Sequence, residues 1–176
     1  MIWYVFNTLW GWAAVLGQEK QVNCTILPQA GSLEEFLHKP QRTGHEIEIL
    51  STADEDIPLV NKIRAYYQGM FIENWEVELV MDRLPDFSKK VLEYVSAIPY
   101  GHTLSYSEVA RAVMNPRASR AVGQVMRRNP IPLIIPCHRV VATSNIGGFT
   151  STGGVKDKEK MLFMEKEVYE KTRLSN

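Results

Sequence analysis

The sequence predicts an α+β protein: a small α/β first half, residues 1–84, followed by a mainly helical second half, residues 85–176. Three observations predict it. Aromatic and β-branched runs bounded by turn residues dominate the beginning. Helix starts, stops and apolar stripes dominate the end. The charge also changes sign near Leu84-Pro85: residues 1–84 carry 6 Lys+Arg against 12 Asp+Glu, and residues 85–176 carry 14 against 8.

Ile2 to Phe6 and Leu9 to Leu16 read as a hairpin turning at Asn7-Thr8, with Val22 to Leu27 as a third strand. Ser32 caps a short helix to His38, with Glu34 and Glu35 in its first turn. Ile57 to Gln68 is a stronger helix: Pro58 suits its first turn, Leu59, Ile63 and Tyr66 keep helical spacing, and Gly69 ends it. Val77, Leu79 and Met81 recur at every second position, with the acidic residues Glu76, Glu78 and Asp82 beside them, and read as a strand.

In the second half a helix opens at Pro85-Asp86 and puts Phe87, Val91, Leu92 and Val95 on one face, ending before Pro99-Tyr100-Gly101. Ser105-Tyr106-Ser107-Glu108 has capping-box spacing, so a helix should run to Val113. Asn115-Pro116 should cap and open the next, from Arg117 to Arg127 or Arg128. Two helices joined by a few residues suggest a helix-turn-helix. Its second helix is unusual. Ala118, Ala121 and Gly123 keep one surface low, and Arg117, Arg120, Arg127 and Arg128 charge it. Small residues beside guanidiniums let a backbone approach a nucleic-acid groove. An ordinary core helix with Val122, Val125 and Met126 inward and solvated arginines fits the pattern equally. A glycine-bearing loop, Gly147 to Gly154, leads to a final helix from Lys156 through Glu165 to Tyr169. The loop is not a phosphate-binding P-loop, since no Gly-Lys-Ser/Thr follows.

The run Pro136-Cys137-His138-Arg139-Val140, entered from Ile131-Pro132-Leu133-Ile134-Ile135, carries the chemistry. It sets a thiol beside a base at the end of an apolar segment. An unperturbed thiol is only ~3 % thiolate at pH 7, and a pKa lowered by ~2 units makes the thiolate the majority. A buried structural cysteine next to a surface histidine is the plainer alternative. Glu165, set among Met161, Leu162, Met164 and Val168, is a carboxylate that needs a partner.

Composition narrows the function classes. Hydrophobic residues are 45 % and charged residues 23 %, a globular balance. No apolar run reaches the length of a membrane span, and Met1-Ile2-Trp3-Tyr4 lacks the basic start of a signal peptide. Cys24 and Cys137 form no disulfide framework, so a reducing, cytoplasmic setting is expected, or the nucleus in a eukaryote. Cys24, His38 and His45 have no ligand spacing, so no metal is expected. A basic second half suits a polyanionic partner.

The stretch from Asn129 to Val140 closely resembles the active-site signature of the O6-alkylguanine-DNA alkyltransferases, the suicidal alkyl-acceptor repair proteins. The resemblance extends over Pro85 to Glu167 and takes in Ser105-Tyr106, Arg120-Ala121-Val122-Gly123, the Gly-Gly loop and Glu165. It implies a ribonuclease-H-like first domain in a supporting role and a winged-helix-like second domain. It implies irreversible transfer of an alkyl group from O6-alkylguanine in duplex DNA to Cys137, with O4-alkylthymine as a further candidate, by a monomer without cofactor. His138 would be the base, acting through a water, and Glu165 would orient it. Asn129 would hold the turn. Tyr106 would serve guanine N3 and crowd the phosphate. Val140, Met126, Phe149, Ser151 and Thr152 would line the substrate pocket. Arg120 would fill the gap left by the flipped base, with Ala118, Ala121, Gly123, Arg117 and Arg127 on the DNA. Phe149 stands where relatives carry tyrosine, and Thr150-Ser151-Thr152 lengthens the loop. Competing readings are a lesion binder with a dead thiol, a cysteine hydrolase built on Cys137, His138 and Glu165, and a sequence-reading regulator.

Overall fold

A computed structural model describes residues 2–18, 20–38, 49–52 and 57–174, the backbone alone for 49–52. His45 lies outside the described residues. The chain divides into two compact units: Met1–Val80 with Pro130–Pro132, and Met81–Asn129 with Leu133–Asn176.

The first unit is built on a five-stranded sheet in the order β4-β1-β2-β3-β5. Strands β1 (Ile2–Thr8), β2 (Gly11–Gln18) and β3 (Gln21–Gln29) form an antiparallel meander, with β4 (Ile49–Thr52) parallel to β1 and β5 (Glu78–Leu79) parallel to β3. The hairpin turns at Leu9-Trp10, two residues later than its sequence suggests. Thr8 explains the shift: its hydroxyl donates to Gly11 O (2.9 Å) and accepts from Trp10 N–H (3.1 Å). Gly11 at φ +118° takes a backbone that a side chain would obstruct. The expected strand through Val77–Met81 shrinks to the two residues of β5.

Helix α1 (Leu33–His38) carries the predicted cap: Ser32 Oγ accepts from Glu35 N–H (3.1 Å), and Glu35 Oε2 accepts from Ser32 N–H (2.9 Å). Its Phe36 joins Trp3, Val5, Ala14, Leu16 and Cys24 in one apolar cluster. Helix α2 (Pro58–Tyr67) buries Val60, Ile63, Tyr66 and Tyr67. The same unit holds Pro130–Pro132 through Thr25, which donates from N–H to Pro130 O (3.1 Å) and from Oγ1 to Pro132 O (2.6 Å).

In the second unit α3 (Asp86–Ser96) buries Val91, Leu92 and Val95. Each such side chain contributes roughly 1.5–3 kcal/mol. Helix α4 (Tyr106–Ala112) opens on a complete capping box between Ser105 and Glu108. It closes as a Schellman motif: Asn115 N–H donates to Ala110 O (2.9 Å) and Met114 N–H to Arg111 O (3.0 Å). Met114 occupies the left-handed position, φ +58°, with its side chain 89 % exposed. That conformation costs a side-chain-bearing residue ~1–2 kcal/mol, partly offset by the lower entropy of its unfolded state. Met114→Gly should therefore raise unfolding free energy by about 0.5–1 kcal/mol in urea titrations.

Helix α5 (Ser119–Arg127) begins two residues later than expected. Ala118 N–H closes a turn onto Asn115 O (2.9 Å), so Arg117 sits in the connection rather than in the helix. Val122, Val125 and Met126 form the inner face of α5. Strands β6 (Leu104–Ser105) and β7 (Val140–Val141) pair in parallel, Leu104 with Val140 and Ser105 with Val141. Helix α6 (Val155–Leu174) runs five residues beyond the expected Tyr169 and buries Lys158, Met161 and Glu165. No described helix is long and apolar enough to cross a membrane.

Candidate active site

The site is assembled within the second unit from one turn, one sheet pairing and one helix face. Cys137–Arg139 form a single 3-10 turn whose three side chains are all buried. Leu133, just upstream and buried, is held at φ +76°, a strained backbone for a residue with a side chain. Asn129 fixes the approach by donating from Nδ2 to Ile135 O (2.9 Å). The β6–β7 pairing then brings Tyr106, the first residue of α4, beside the strand that follows the cysteine.

Glu165 is fully buried and accepts hydrogen bonds from His138, Arg139 and Gly101. His138 Nε2 and Arg139 Nη2 donate to Oε1 (2.7 and 2.9 Å). Arg139 Nε and Gly101 N–H donate to Oε2 (2.8 and 3.3 Å). The guanidinium forks onto both carboxylate oxygens, a strong and directional pairing. Its Nη1 also donates to Ile98 O (2.7 Å), and it lies 5.4 Å from the Tyr100 ring centroid. Burial alone would push the Glu165 carboxyl up; His138 and Arg139 outweigh it and hold it well below the usual carboxylate range. An ionised carboxylate only accepts, so His138 Nε2 carries the proton and Nδ1 presents the lone pair. Burial, opposed by Glu165, depresses the His138 pKa and keeps the ring neutral. A neutral imidazole is the form that can take a proton.

Cys137 departs from the expectation for an activated thiol. Burial pushes its pKa up, and the Asn129 side chain, the Lys158 charge and the backbone N–H groups of Cys137 and His138 pull it down without overcoming that. The resting protein therefore holds a thiol, and deprotonation belongs to the reaction. Burial also raises the Cys24 thiol, to about 12, against the Thr25 backbone hydrogen bond.

The remaining predicted residues fall into three groups. Val140 and Met126 are buried in the second unit, and Phe149 is half-buried in the loop. Ser151 is already engaged, donating to Asp157 Oδ2 (2.6 Å), while Thr152 is exposed. Arg117, Arg120, Ala121 and Arg127 lie on the exposed side of the α4–α5 pair, and Ala118 and Gly123 are half-buried. Two residues were missed from the sequence, Arg139 and Lys158. Lys158 could have been found, since it precedes Glu165 by seven residues and so shares its helix face. Among the described residues no group of three His, Cys, Asp or Glu side chains is arranged to hold a metal.

Tyr106 is packed between two glycines. A Cβ on Gly123 would lie 3.9 Å from its ring, an ordinary contact, but one on Gly147 would meet its Oη at 3.0 Å. Gly147 also sits at φ +75°. Burial and then the charge of Cys137 raise the Tyr106 pKa, so the phenol keeps its proton. Gly147→Ala should displace that hydroxyl and cost ~1–2 kcal/mol in backbone strain. Gly123→Ala should leave Tyr106 in place. Thermal melts and reaction rates measured side by side would show a loss at Gly147 alone.

Comparison with known proteins agrees with this geometry. The family described as 6-O-methylguanine DNA methyltransferase, DNA binding domain, matches residues 86–167. A methylated-DNA–protein-cysteine methyltransferase of Archaeoglobus fulgidus is 38 % identical over 120 residues, covering 65 % of this chain and 78 % of that protein. One of Methanocaldococcus jannaschii is 40 % identical over 116 residues, covering 65 % of this chain and 66 % of that protein, just under two thirds of its length. Among solved structures, Mycobacterium tuberculosis OGT in complex with DNA superposes with TM-score 0.76 at 28 % identity, covering 96 % of this chain and 94 % of that one. The chain belongs to the 6-O-methylguanine DNA methyltransferase family.

Proposed function

We propose that this protein repairs alkylated DNA by direct reversal, moving the alkyl group of O6-alkylguanine in duplex DNA irreversibly onto Cys137. The observation that carries the reading is a buried thiol adjoining a neutral histidine whose Nε2 is held 2.7 Å from a buried carboxylate. His138 Nδ1 takes the Cys137 proton, through one water. The sulfur attacks the alkyl carbon; the S–C bond forms as the C–O6 bond breaks. The departing guanine takes a proton from Tyr106 at N3 and leaves neutral, and His138 returns its proton to Tyr106. Glu165 holds the imidazole in the tautomer this needs. Asn129 holds the cysteine turn, and the Val140 carbonyl accepts from the guanine amino group. Met126, Phe149, Ser151 and Thr152 border the base.

A sheltered thiol cannot reach a stacked base, so the nucleotide must be extruded. We assign α4 and α5 as a helix-turn-helix in a winged-helix-like domain, residues 85–176, that enters the minor groove with Ala118, Ala121 and Gly123 toward the backbone. Arg117 and Arg127 contact phosphates, and Arg120 fills the vacated stack. Residues 1–84 form the supporting domain. Its antiparallel meander with one parallel strand beside β1 supports a ribonuclease-H-like arrangement.

With O6-methylguanine duplex in large excess, restored guanine should stop at one per protein molecule. Continued turnover would instead identify a hydrolase, and tight binding without restored guanine a lesion binder.

A further inference from the structure

Lys158 is a fully buried cation that the reaction as described does not use. It lies on α6, and its Nζ donates to Val140 O (2.6 Å) and Gly148 O (3.3 Å), 5.8 Å from the Tyr106 ring centroid. Both acceptors are neutral carbonyls. Of the α6 carboxylates around it, Glu165 is committed to His138, Arg139 and Gly101, Asp157 to Ser151 and Gly153, and Glu159 is exposed. Buried lysines are normally paired with an anion. Counting formal charges, Arg139 and Glu165 cancel, His138 is neutral, and Lys158 leaves one positive charge over. The group that can balance it is the Cys137 sulfur, once deprotonated.

We propose that Lys158 is a positioning residue for alkyl transfer, the counter-ion of the Cys137 thiolate, tied by the same ammonium to the Val140 and Gly148 carbonyls. This rests on the alkyl-transfer reading. Electrostatics run in the same direction on both partners. Burial lowers the Lys158 pKa to about 8 and the Cys137 charge opposes that fall; the Lys158 charge in turn pulls Cys137 down. Lys158 also helps to keep His138 neutral, acting with burial and Arg139 and against Glu165. The Cys137 charge also raises the Tyr106 pKa, after the larger effect of burial. When the Sγ proton moves to His138, the ammonium and thiolate form a neutral pair. When the S–C bond forms, the thioether is neutral and the positive charge is again unbalanced.

The test is the pH dependence of Cys137 labelling, with iodoacetamide and with O6-benzylguanine as probes and peptide mapping to exclude Cys24. In Lys158→Met the midpoint for iodoacetamide should move up by about 1–2 pH units, as expected for loss of a nearby opposite charge. Labelling at pH 7 should fall about 3- to 10-fold, because a more basic thiolate is also more nucleophilic and recovers part of the loss. At high pH the variant should match or exceed the parent. Lys158→Arg should keep the parent midpoint. A residue that only braced the two carbonyls would lower the rate equally at every pH, and that result would overturn the proposal.

A second measurement needs no variant. Coupled groups shift one another reciprocally. The Lys158 ammonium, followed by nitrogen NMR, should therefore lose its proton at lower pH after benzylation of Cys137. An unchanged Lys158 titration would refute the pairing. A protein that shows the iodoacetamide shift but accepts no benzyl group would support the role of Lys158 and overturn the alkyl-transfer reading.

Discussion

Glu165→Gln is expected to abolish most of the reactivity of Cys137 toward duplex DNA and toward free O6-benzylguanine alike, and to destabilise the fold. The amide keeps the shape of the carboxylate but not its charge, and it cannot hold His138 in one tautomer. It also leaves Arg139, 7 % exposed, without its anion. Removing one member of a buried ion pair costs ~3–5 kcal/mol, a large share of a typical ~5–15 kcal/mol stability. The melting temperature should fall by on the order of 10 °C. The double variant Glu165→Gln/Arg139→Met removes both charges and should recover part of the stability but none of the reactivity.

The pH dependence follows the same groups. Glu165 is held below, and His138 is pushed below, their ordinary values. On acidification the unfolded chain binds protons that the folded protein refuses. The histidine contribution is lost as pH falls below about 6.5 and the carboxylate contribution as it falls below about 4.3. Urea titrations across that range should show stability falling with pH in the parent. In Glu165→Gln the lower part of that fall should flatten. Unchanged thiol reactivity in the glutamine variant would remove the histidine–carboxylate relay from the account.

Arg120→Ala is expected to slow repair of duplex DNA about 100-fold while changing reaction with free O6-benzylguanine less than twofold. Arg120 is exposed on α5 and engages no partner among the described residues. Unstacking a base costs a few kcal/mol, and a side chain that fills the gap offsets part of that. Each 1.36 kcal/mol lost is tenfold in rate. The free base needs no extrusion, so it isolates the chemistry from the flipping. Equal losses on both substrates would place Arg120 in the chemistry and not in the stack.

Much of this was legible before any coordinates. The N-cap at Ser32 and the capping box at Ser105 announced their helices because they are local hydrogen-bond patterns written into a few residues. The pairing of His138 with Glu165 was legible through the family resemblance, not through spacing, since 27 residues separate them. What escaped was set by less local causes. The first hairpin turns later because one threonine hydroxyl secures it. Helix α5 starts later because Asn115–Ala118 closes its own turn after the Schellman motif at Met114. Arg139 was visible in the cysteine run but carried no assigned role, yet it forks onto Glu165. Lys158 drew no reading, since sequence alone does not tell which lysines fold inward. The raised pKa of Cys137 was hidden for the same reason: adjacency to histidine is visible in sequence, and desolvation is not.

The most direct test is intact-mass analysis after incubation with duplex DNA carrying O6-methylguanine. The protein should gain one methyl group per molecule, mapped to the peptide containing Cys137, with no gain in Cys137→Ser. Full restoration of guanine with no change in protein mass, or a methyl group mapped to Cys24, would contradict the account.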